Sequence, residues 1–197
     1  MQLDEVIRAR RMVRRYTNEP VEPGVIERAL SRAVQAPSAG FTQGWGFLVL
    51  DNPVDVAAFW TAATPPGRGT DAWSRGMRRA PVVVVPWSSR QAYLDRYAEP
   101  DKGWSADADH WPVPYWHVDA GMASLLMLLS VVDDGLGACF FGVPGERVPV
   151  LREAFGVPAD YAPVGAVTIG HPAPSAPRRT RQRRPMSEVV HRGRWSG

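Results

Sequence analysis

The chain has 197 residues, of which 45% are hydrophobic, and this length predicts a single domain spanning residues 1–197. Its formal net charge is +3, but residues 178–194 hold seven arginines against one acid, so the rest of the chain is slightly acidic. The single cysteine, Cys139, excludes an intrachain disulfide, and the longest apolar run, 120–132, is shorter than the ~20 residues of a membrane span. Without a charged and apolar leader at its start, we expect a cytoplasmic protein that does not engage a membrane.

The first half of the chain predicts helices and strands in alternation. Leu3, Val6 and Ile7 recur at helical spacing, and residues 12–16 then read as extended. The further predicted elements are a helix from Pro23 to Pro37, a strand over 47–50, a helix over 54–63, an exposed loop over 64–79 and a central β-branched strand over 82–85.

The second half begins with a tryptophan-rich segment, residues 87–117, that predicts little regular structure. It is read either as a small satellite core under a long loop or as a lid over a planar substrate, and we favour the lid. A helix over 119–134 is apolar on almost every side and should be enclosed all round. A strand over 138–141, a helix over 147–155 ended by Gly156, and a last strand over 164–169 follow.

Two arginine clusters stand near the two ends of the chain. Residues 8–15 carry five arginines, and residues 178–184 carry five more. Guanidinium groups that converge on one place suit a phosphate, because each offers fixed charge and a planar fork of donors. The alternatives are a solvated basic face or a nucleic-acid-binding patch.

Two further segments favour the phosphate site over these alternatives by their order and spacing: RRMVRRY (10–16) and APSAGFTQGW (36–45). Together they resemble the opening of the FMN-dependent nitroreductase family, whose usual forms are close to RRSxRxF and APSxxNxQPW. The resemblance continues through residues 119–142, 151–172 and 181–190, and so spans nearly the whole chain.

The resemblance implies a nitroreductase-like α+β fold, with a central mixed but mainly antiparallel sheet flanked by helices, in an intertwined homodimer. The arginine-rich tail, 173–197, would reach the partner subunit, and helix 119–134 would lie at the dimer interface. FMN would pass reducing equivalents from NADH or NADPH to a small aromatic or quinone-like planar acceptor by ping-pong chemistry. No catalytic side chain, no metal and no nucleic acid are then expected.

The resemblance also implies which residues bind the flavin. The first motif supplies Arg10, Arg11, Met12 and Arg14 for the phosphate or the pyrimidine edge, and the tail completes the phosphate site with Arg181 and Arg183. The second motif supplies Pro37, Ser38, Ala39, Phe41 and Gln43 from the other subunit. Phe141 and Gly142 form the turn whose backbone donates to the central-ring nitrogen, although Gly142 is equally well read as a simple turn residue.

Three departures from the family pattern bear on function. Met12 stands where serine is usual and Phe41 where asparagine is usual, so we expect a flavin that is harder to reduce and a Phe41 ring packed against it. Gly44 replaces a proline and should loosen its loop. These departures keep open a flavin-binding or flavin-processing relative without nitroreductase turnover, similar to the dimethylbenzimidazole synthases, although that branch carries an aspartate at the Met12 position. A nucleic-acid-binding protein is the remote alternative.

Overall fold

The computed structural model describes residues 1–105, 110–174 and 182–195. The helices are α1 (Leu3–Ala9), α2 (Pro23–Ala33), α3 (Pro53–Ala63), α4 (Ala72–Met77), α5 (Arg90–Ala98), α6 (Tyr115–Asp133), α7 (Val148–Phe155) and α8 (Met186–Val189). The strands are β1 (Trp45–Leu50), β2 (Val82–Ser89), β3 (Gly137–Phe141), β4 (Tyr161–Pro163) and β5 (Ala166–Gly170).

The sheet is antiparallel throughout its named strand pairs and has the order β1-β2-β5-β3, with β4 also paired to β2. The single parallel contact in the described part is an isolated bridge between Met12 and Ala138. Strand β2 is buried along its whole length, because its valines pack into hydrophobic layers on both faces. The predicted mainly antiparallel sheet and the central position of this strand are confirmed.

Local sequence signals explain most of the helix boundaries. Proline begins α2 and α3, where a missing backbone N–H costs nothing, and the Asn52 side chain caps α3 by accepting from Asp55 N. Gly156 ends α7 with a φ of 63°, as the sequence predicts. Phe59 and Trp60 of α3 are buried, also as predicted.

The prediction of an exposed loop over residues 64–79 is wrong in part. The segment contains α4, whose N-terminus is capped by the Asp71 carboxylate through the backbone N–H groups of Trp73 and Ser74. These hydrogen bonds lower the pKa of Asp71. Met77 at the end of α4 is fully buried in the core beneath the sheet, which holds the helix in place.

The tryptophan-rich segment is more regular than predicted. Strand β2 continues through Pro86 to Ser89, the whole of α5 follows, and α6 begins at Tyr115 instead of Asp119. The sequence patterns also did not predict the short strand β4. Pro86 has no N–H to donate, and its carbonyl accepts from Val164 N at the break between β4 and β5, where the ladder is interrupted.

Helix α6 is only partly enclosed within one chain, so its enclosure on every side remains a prediction that depends on a second copy. Its inner face packs against α2 and the sheet through Ala123, Met127 and Val131, whereas Leu125 is 48% exposed and Val118 is also exposed. Among the described helices, α6 alone is long and apolar enough to cross a bilayer by length and composition, and half of its most apolar stretch is buried inside the chain. Core helices commonly pass the same test.

Both ends of the chain leave apolar side chains uncovered. In α1, Val6 is buried as the helical spacing predicts, but Leu3 and Ile7 are exposed. In the described part of the tail, the four apolar residues that could anchor it are all exposed: Met186, Val189, Val190 and Trp195.

Candidate functional site

The arginine-rich segment that follows α1 is fastened to β3, the outer strand of the sheet. Val13 N donates to the Ala138 carbonyl at 2.9 Å, and the sulfur of Met12 accepts the Phe140 N–H at 3.4 Å. Gly137 permits this close approach, because a Cβ at that position would lie 2.6 Å from a methyl group of Val13. The segment therefore has a fixed register beside β3.

The arginines of this segment are available for an anion. Arg10 is half-buried, Arg11 and Arg14 are exposed, and none of them forms a salt bridge with a residue in the described part of the chain. Several unpaired guanidinium groups on one short segment are suited to a phosphate. The structure thus places the first predicted phosphate-binding cluster at the edge of β3.

The predicted contribution of the tail is only partly visible. Arg181 lies outside the described residues, and Arg183 is exposed. Its neighbour Arg184 pairs with Glu188 at 3.1 Å, and both side chains remain well exposed. Within the described residues, the tail does not complete a phosphate site in one chain.

A recess walled by aromatic rings opens at the end of β3. Phe141 stacks on Trp60 with ring centroids 5.6 Å apart and planes 5° apart, and Trp73 meets Phe141 edge to face at 5.7 Å. With Gly142, these rings line a cavity of about 210 Å³. A Cβ on Gly142 would meet no atom of the described residues within 4 Å, so packing within this part of the chain does not require glycine there.

The second motif forms a strained loop, residues 37–44, before β1. The Ser38 hydroxyl accepts from Gln43 N at 3.0 Å, which closes the loop across a 3-10 turn at Ala39–Phe41. Phe41 and Gln43 have positive φ values of 55° and 52°, a conformation that costs non-glycine residues energy. Phe41 is 77% exposed, so its ring projects from the loop without a partner side chain to cover it.

A buried carboxylate holds this loop from below. Asp119 of α6 is 1% exposed, and one of its oxygens accepts both the Ala39 N–H and the Tyr93 hydroxyl, each at 2.8 Å. Burial and this carboxylate raise the pKa of Tyr93 above its ordinary value, so the phenol stays protonated and donates. Arg96 adds a third anchor by donating to the Gly40 carbonyl at 3.0 Å.

Close packing of glycine against tyrosine tightens the loop further. A Cβ on Gly40 would lie 2.7 Å from the Tyr97 ring, and one on Gly44 would lie 2.5 Å from the Tyr93 ring. The expectation that Gly44 loosens the loop is therefore wrong, because its lack of a side chain lets the loop settle onto α5.

The aromatic rings of the tryptophan-rich segment pack on one another beneath the same loop. Tyr97 contacts Trp104 and Trp111 with centroids 4.9 and 4.6 Å apart, and Tyr93 contacts Trp111 and Trp116 at 6.0 and 6.3 Å. This is the packing of a satellite core that supports residues 37–44. A lid over a planar substrate remains a prediction.

In one chain, the two halves of the predicted site lie at opposite edges of the sheet. The loop leads into β1 and the arginine segment lies along β3, and these are the two outer strands of the order β1-β2-β5-β3. Three strand spacings separate them, about 14 Å. The described part of one chain does not bring Ser38, Phe41 and Gln43 together with Arg10, Arg14 and Gly142.

Sequence reasoning missed the residues that position the loop: Tyr93, Arg96 and Asp119. Asp119 offered a signal, since it is the single acid among the apolar residues 118–132 and a charge in such a place must be paired. Tyr93 and Arg96 sit in a polar helix that gave no such sign.

The positive φ of Phe41 leads to a testable prediction. Replacing Phe41 with asparagine should raise the unfolding free energy by about 0.5 kcal/mol, because asparagine tolerates the left-handed conformation better than phenylalanine does. The same change should weaken FMN binding if the exposed ring packs against the flavin, as the sequence predicts. Urea unfolding and flavin titration of the variant test both halves, with Phe41→Leu as the control that keeps an apolar side chain and the strained φ. An unfolding free energy below that of Phe41→Leu would contradict the conformational argument.

Comparison with known proteins bears on the family and the fold of the chain. A model of the nitroreductase family matches residues 7–171 of the chain. An NADH dehydrogenase of Thermus thermophilus is 32% identical over 94 residues, which cover 46% of this chain and 42% of that protein. The chain thus matches less than half the length of this relative.

Solved structures share the whole fold. A protein of Desulfovibrio desulfuricans, described as a nitroreductase in complex with FMN, is 25% identical with a TM-score of 0.72, and the match covers 100% of this chain and 99% of that one. NfrA2 of B. megaterium is 19% identical with a TM-score of 0.78, covering 100% of this chain and 76% of that one. The predicted nitroreductase-like fold is confirmed.

Proposed function

Because the chain belongs to the nitroreductase family, we propose that it is an FMN-dependent oxidoreductase that passes reducing equivalents from NADH or NADPH to a small planar acceptor. The relatives named as NADH dehydrogenase and as a nitroreductase in complex with FMN support this proposal. The enzyme acts in the cytoplasm by ping-pong chemistry, with an aromatic or quinone-like molecule as the acceptor.

The observation that carries the proposal is the fixed relation between the arginine segment and the end of β3. The backbone pairing of Val13 with Ala138 holds Arg10 and Arg14 on one side of β3 while Gly142 and the aromatic recess lie at its end. FMN has a phosphate and a flat ring joined by a flexible chain, and these two regions match its two ends. The unpaired arginines and the ring-walled recess therefore fit the cofactor.

The missing half of the site comes from a second copy of the chain. Residues 37–44 and the arginine segment lie at opposite edges of the sheet in one chain, and α6 and the tail leave Leu125, Val118 and Trp195 uncovered. Association of two copies would bury these apolar side chains and bring each loop to the arginine segment of the other copy. The enzyme is thus a homodimer with two shared sites.

Each group of residues then has a distinct task. Arg10 and Arg14 bind the phosphate, with Arg11 beside them, while Ser38 and Gln43 of the loop face the ring from the partner copy. The Gly142 N–H, which donates to no described residue, stabilises negative charge that develops beside it. FMN, when bound, supplies the capacity to accept and release reducing equivalents. No side-chain nucleophile is needed.

Alanine substitutions at Gly142 and Gly145, which stand close together after β3, test the role of Gly142. Alanine at Gly142 or at Gly145 would meet no atom of the described residues within 4 Å, so both variants should unfold with nearly the wild-type free energy. Only Gly142→Ala should slow flavin reduction, by about tenfold, because its methyl group would stand where the ring approaches the backbone. Stopped-flow reduction of the two variants side by side measures this. Equal rates would show that Gly142 is a turn residue and no more.

Anaerobic titration of the purified protein tests the proposed function. The protein should carry FMN with its visible absorbance, NADH or NADPH should bleach that absorbance, and a quinone should restore it. Bound FMN that neither nicotinamide bleaches would favour the flavin-binding relative without reductase turnover. Protein that binds no FMN at all would remove the proposal.

A further inference from the structure

A second group of arginines surrounds a separate cavity beside α4. The cavity has a volume of about 700 Å³, and the described residues that line it include Arg15, Arg75, Arg78 and Arg79 but no acid. None of these four arginines forms a salt bridge with a described residue. Four cations without a carboxylate around one concave surface indicate an anion that the protein itself does not provide.

The backbone that carries these exposed arginines is closely packed, and hydrogen bonds hold two of the four side chains. A Cβ on Gly76 would collide with the backbone oxygen of Arg14, so α4 lies directly against the arginine segment. Arg78 donates to the Thr64 hydroxyl at 3.0 Å, and Arg79 donates to the Asn18 amide oxygen at 3.2 Å. Asp71, the acid at the start of α4, is occupied by the N–H groups of its own helix.

A neighbouring cavity is suited to a planar apolar group. It has a volume of about 480 Å³ and shares Arg78 and Arg79 with the first. Its lining includes Pro53, Val56 and Trp60 and one acid, Asp51. A ligand that places a phosphate in the first cavity and a heterocycle in the second would be a nucleotide whose charged phosphate lies close to its base.

The two cavities adjoin the candidate flavin site. Helix α4 presents Trp73 to the aromatic recess and Arg75 to the arginine-lined cavity, two residues and about 3 Å apart along the helix axis. Likewise, Arg14 belongs to the predicted flavin site and Arg15 to the cavity. A dinucleotide with its nicotinamide at the flavin could therefore reach the cavity with its other end.

We propose that the cavity lined by Arg15, Arg75, Arg78 and Arg79 binds the 2′-phosphate of NADPH and makes NADPH the preferred electron donor. The inference rests on the proposed function. NADH carries a hydroxyl where NADPH carries a phosphate with about two negative charges, and arginines are the groups that recognise this difference. The other source of the same chemistry is the 5′-phosphate of FMN, and the experiment separates the two.

The experiment compares single arginine variants of the FMN-loaded protein. Arg15→Gln and Arg75→Gln are the informative changes, because neither side chain is tied to a core residue. Each should raise the KM for NADPH about fivefold to tenfold and leave both the KM for NADH and the affinity for FMN unchanged. Arg8→Gln is the matched control, since Arg8 lies in the same cluster but pairs with Asp4 on an exposed helix face, and it should change none of these values.

Three results would overturn the inference. Equal KM values for NADPH and NADH in the wild type would remove the preference, and unchanged KM values in both variants would remove the site. A loss of FMN affinity in place of NADPH affinity would assign the cavity to the flavin phosphate. If the protein binds no FMN, calorimetric titration of the chain with 2′-AMP and with adenosine still decides the inference, since only 2′-AMP should bind, and weakly or not at all to Arg75→Gln.

Discussion

The double change Arg10→Gln and Arg14→Gln should weaken FMN binding by about 100-fold or more. Each charge-assisted hydrogen bond to a phosphate contributes on the order of 1.5 to 3 kcal/mol, and the exposure of Arg14 places the sum toward the lower end. Riboflavin has the same ring without the phosphate, so its affinity should hardly change. Fluorescence titration of the apoprotein with both ligands measures the two affinities.

The control for this prediction is Arg8→Gln, which removes one arginine of the same cluster without touching the β3 edge. It should leave both titrations unchanged. A double variant that loses riboflavin as strongly as FMN would mean that the arginines support the fold or the ring, and the phosphate site would have to be sought elsewhere.

Replacing Asp119 with alanine should lower the unfolding free energy by about 3 kcal/mol. The change leaves the buried Tyr93 hydroxyl and the half-buried Ala39 N–H without the carboxylate oxygen that both reach at 2.8 Å. Because Ala39 lies in the strained loop, release of this anchor should also free the loop and weaken FMN binding. Urea unfolding and FMN titration of the same variant give both effects.

Asp119→Asn is the matched variant, because it keeps the size of the side chain and one oxygen acceptor. It should lose less stability than Asp119→Ala and keep more of the FMN affinity. Tyr93→Phe removes one of the two donors and should fall between the wild type and Asp119→Ala. A stability of Asp119→Ala within about 0.5 kcal/mol of the wild type would contradict the anchoring role.

Local patterns allowed much of the fold to be predicted. The valines of β2, the proline starts of α2 and α3 and the glycine end of α7 each act within a few residues of themselves, so the sequence displays them directly. Helix α4 was missed because its cap, Asp71, stands in a stretch rich in glycine and arginine that looks like a loop. Its one strong determinant, the burial of Met77, is a tertiary contact.

Some residues of the candidate site could be predicted from local patterns and others could not. Arg10, Met12 and Gly142 stand in short motifs whose residue types already suggest a role. The support beneath the loop joins Ala39, Tyr93 and Asp119, which are separated by 80 residues from first to last. Only the packing of α5 against the loop and of α6 against β1 brings them together, and no local pattern predicts that.

The sequence did not predict that the second group of arginines lies around one cavity. Arg75, Arg78 and Arg79 read as part of an exposed loop, and Arg15 as one member of the first cluster. The contact of Gly76 with the arginine segment joins the two sets around one cavity. A glycine that must touch a distant backbone has no signature in a single sequence.

Mixing two defective variants tests most directly that each flavin site is built from two copies of the chain. One copy carries Arg10→Gln and Arg14→Gln, and the other carries Ser38→Ala and Gln43→Ala. Produced separately, each should bind FMN poorly. Produced together in equal amounts, they should regain FMN binding and reduction by NADPH in about a quarter of the sites, because half of the random dimers hold one site with both halves intact. A mixture that binds no more FMN than the two separate proteins would contradict a site shared between copies.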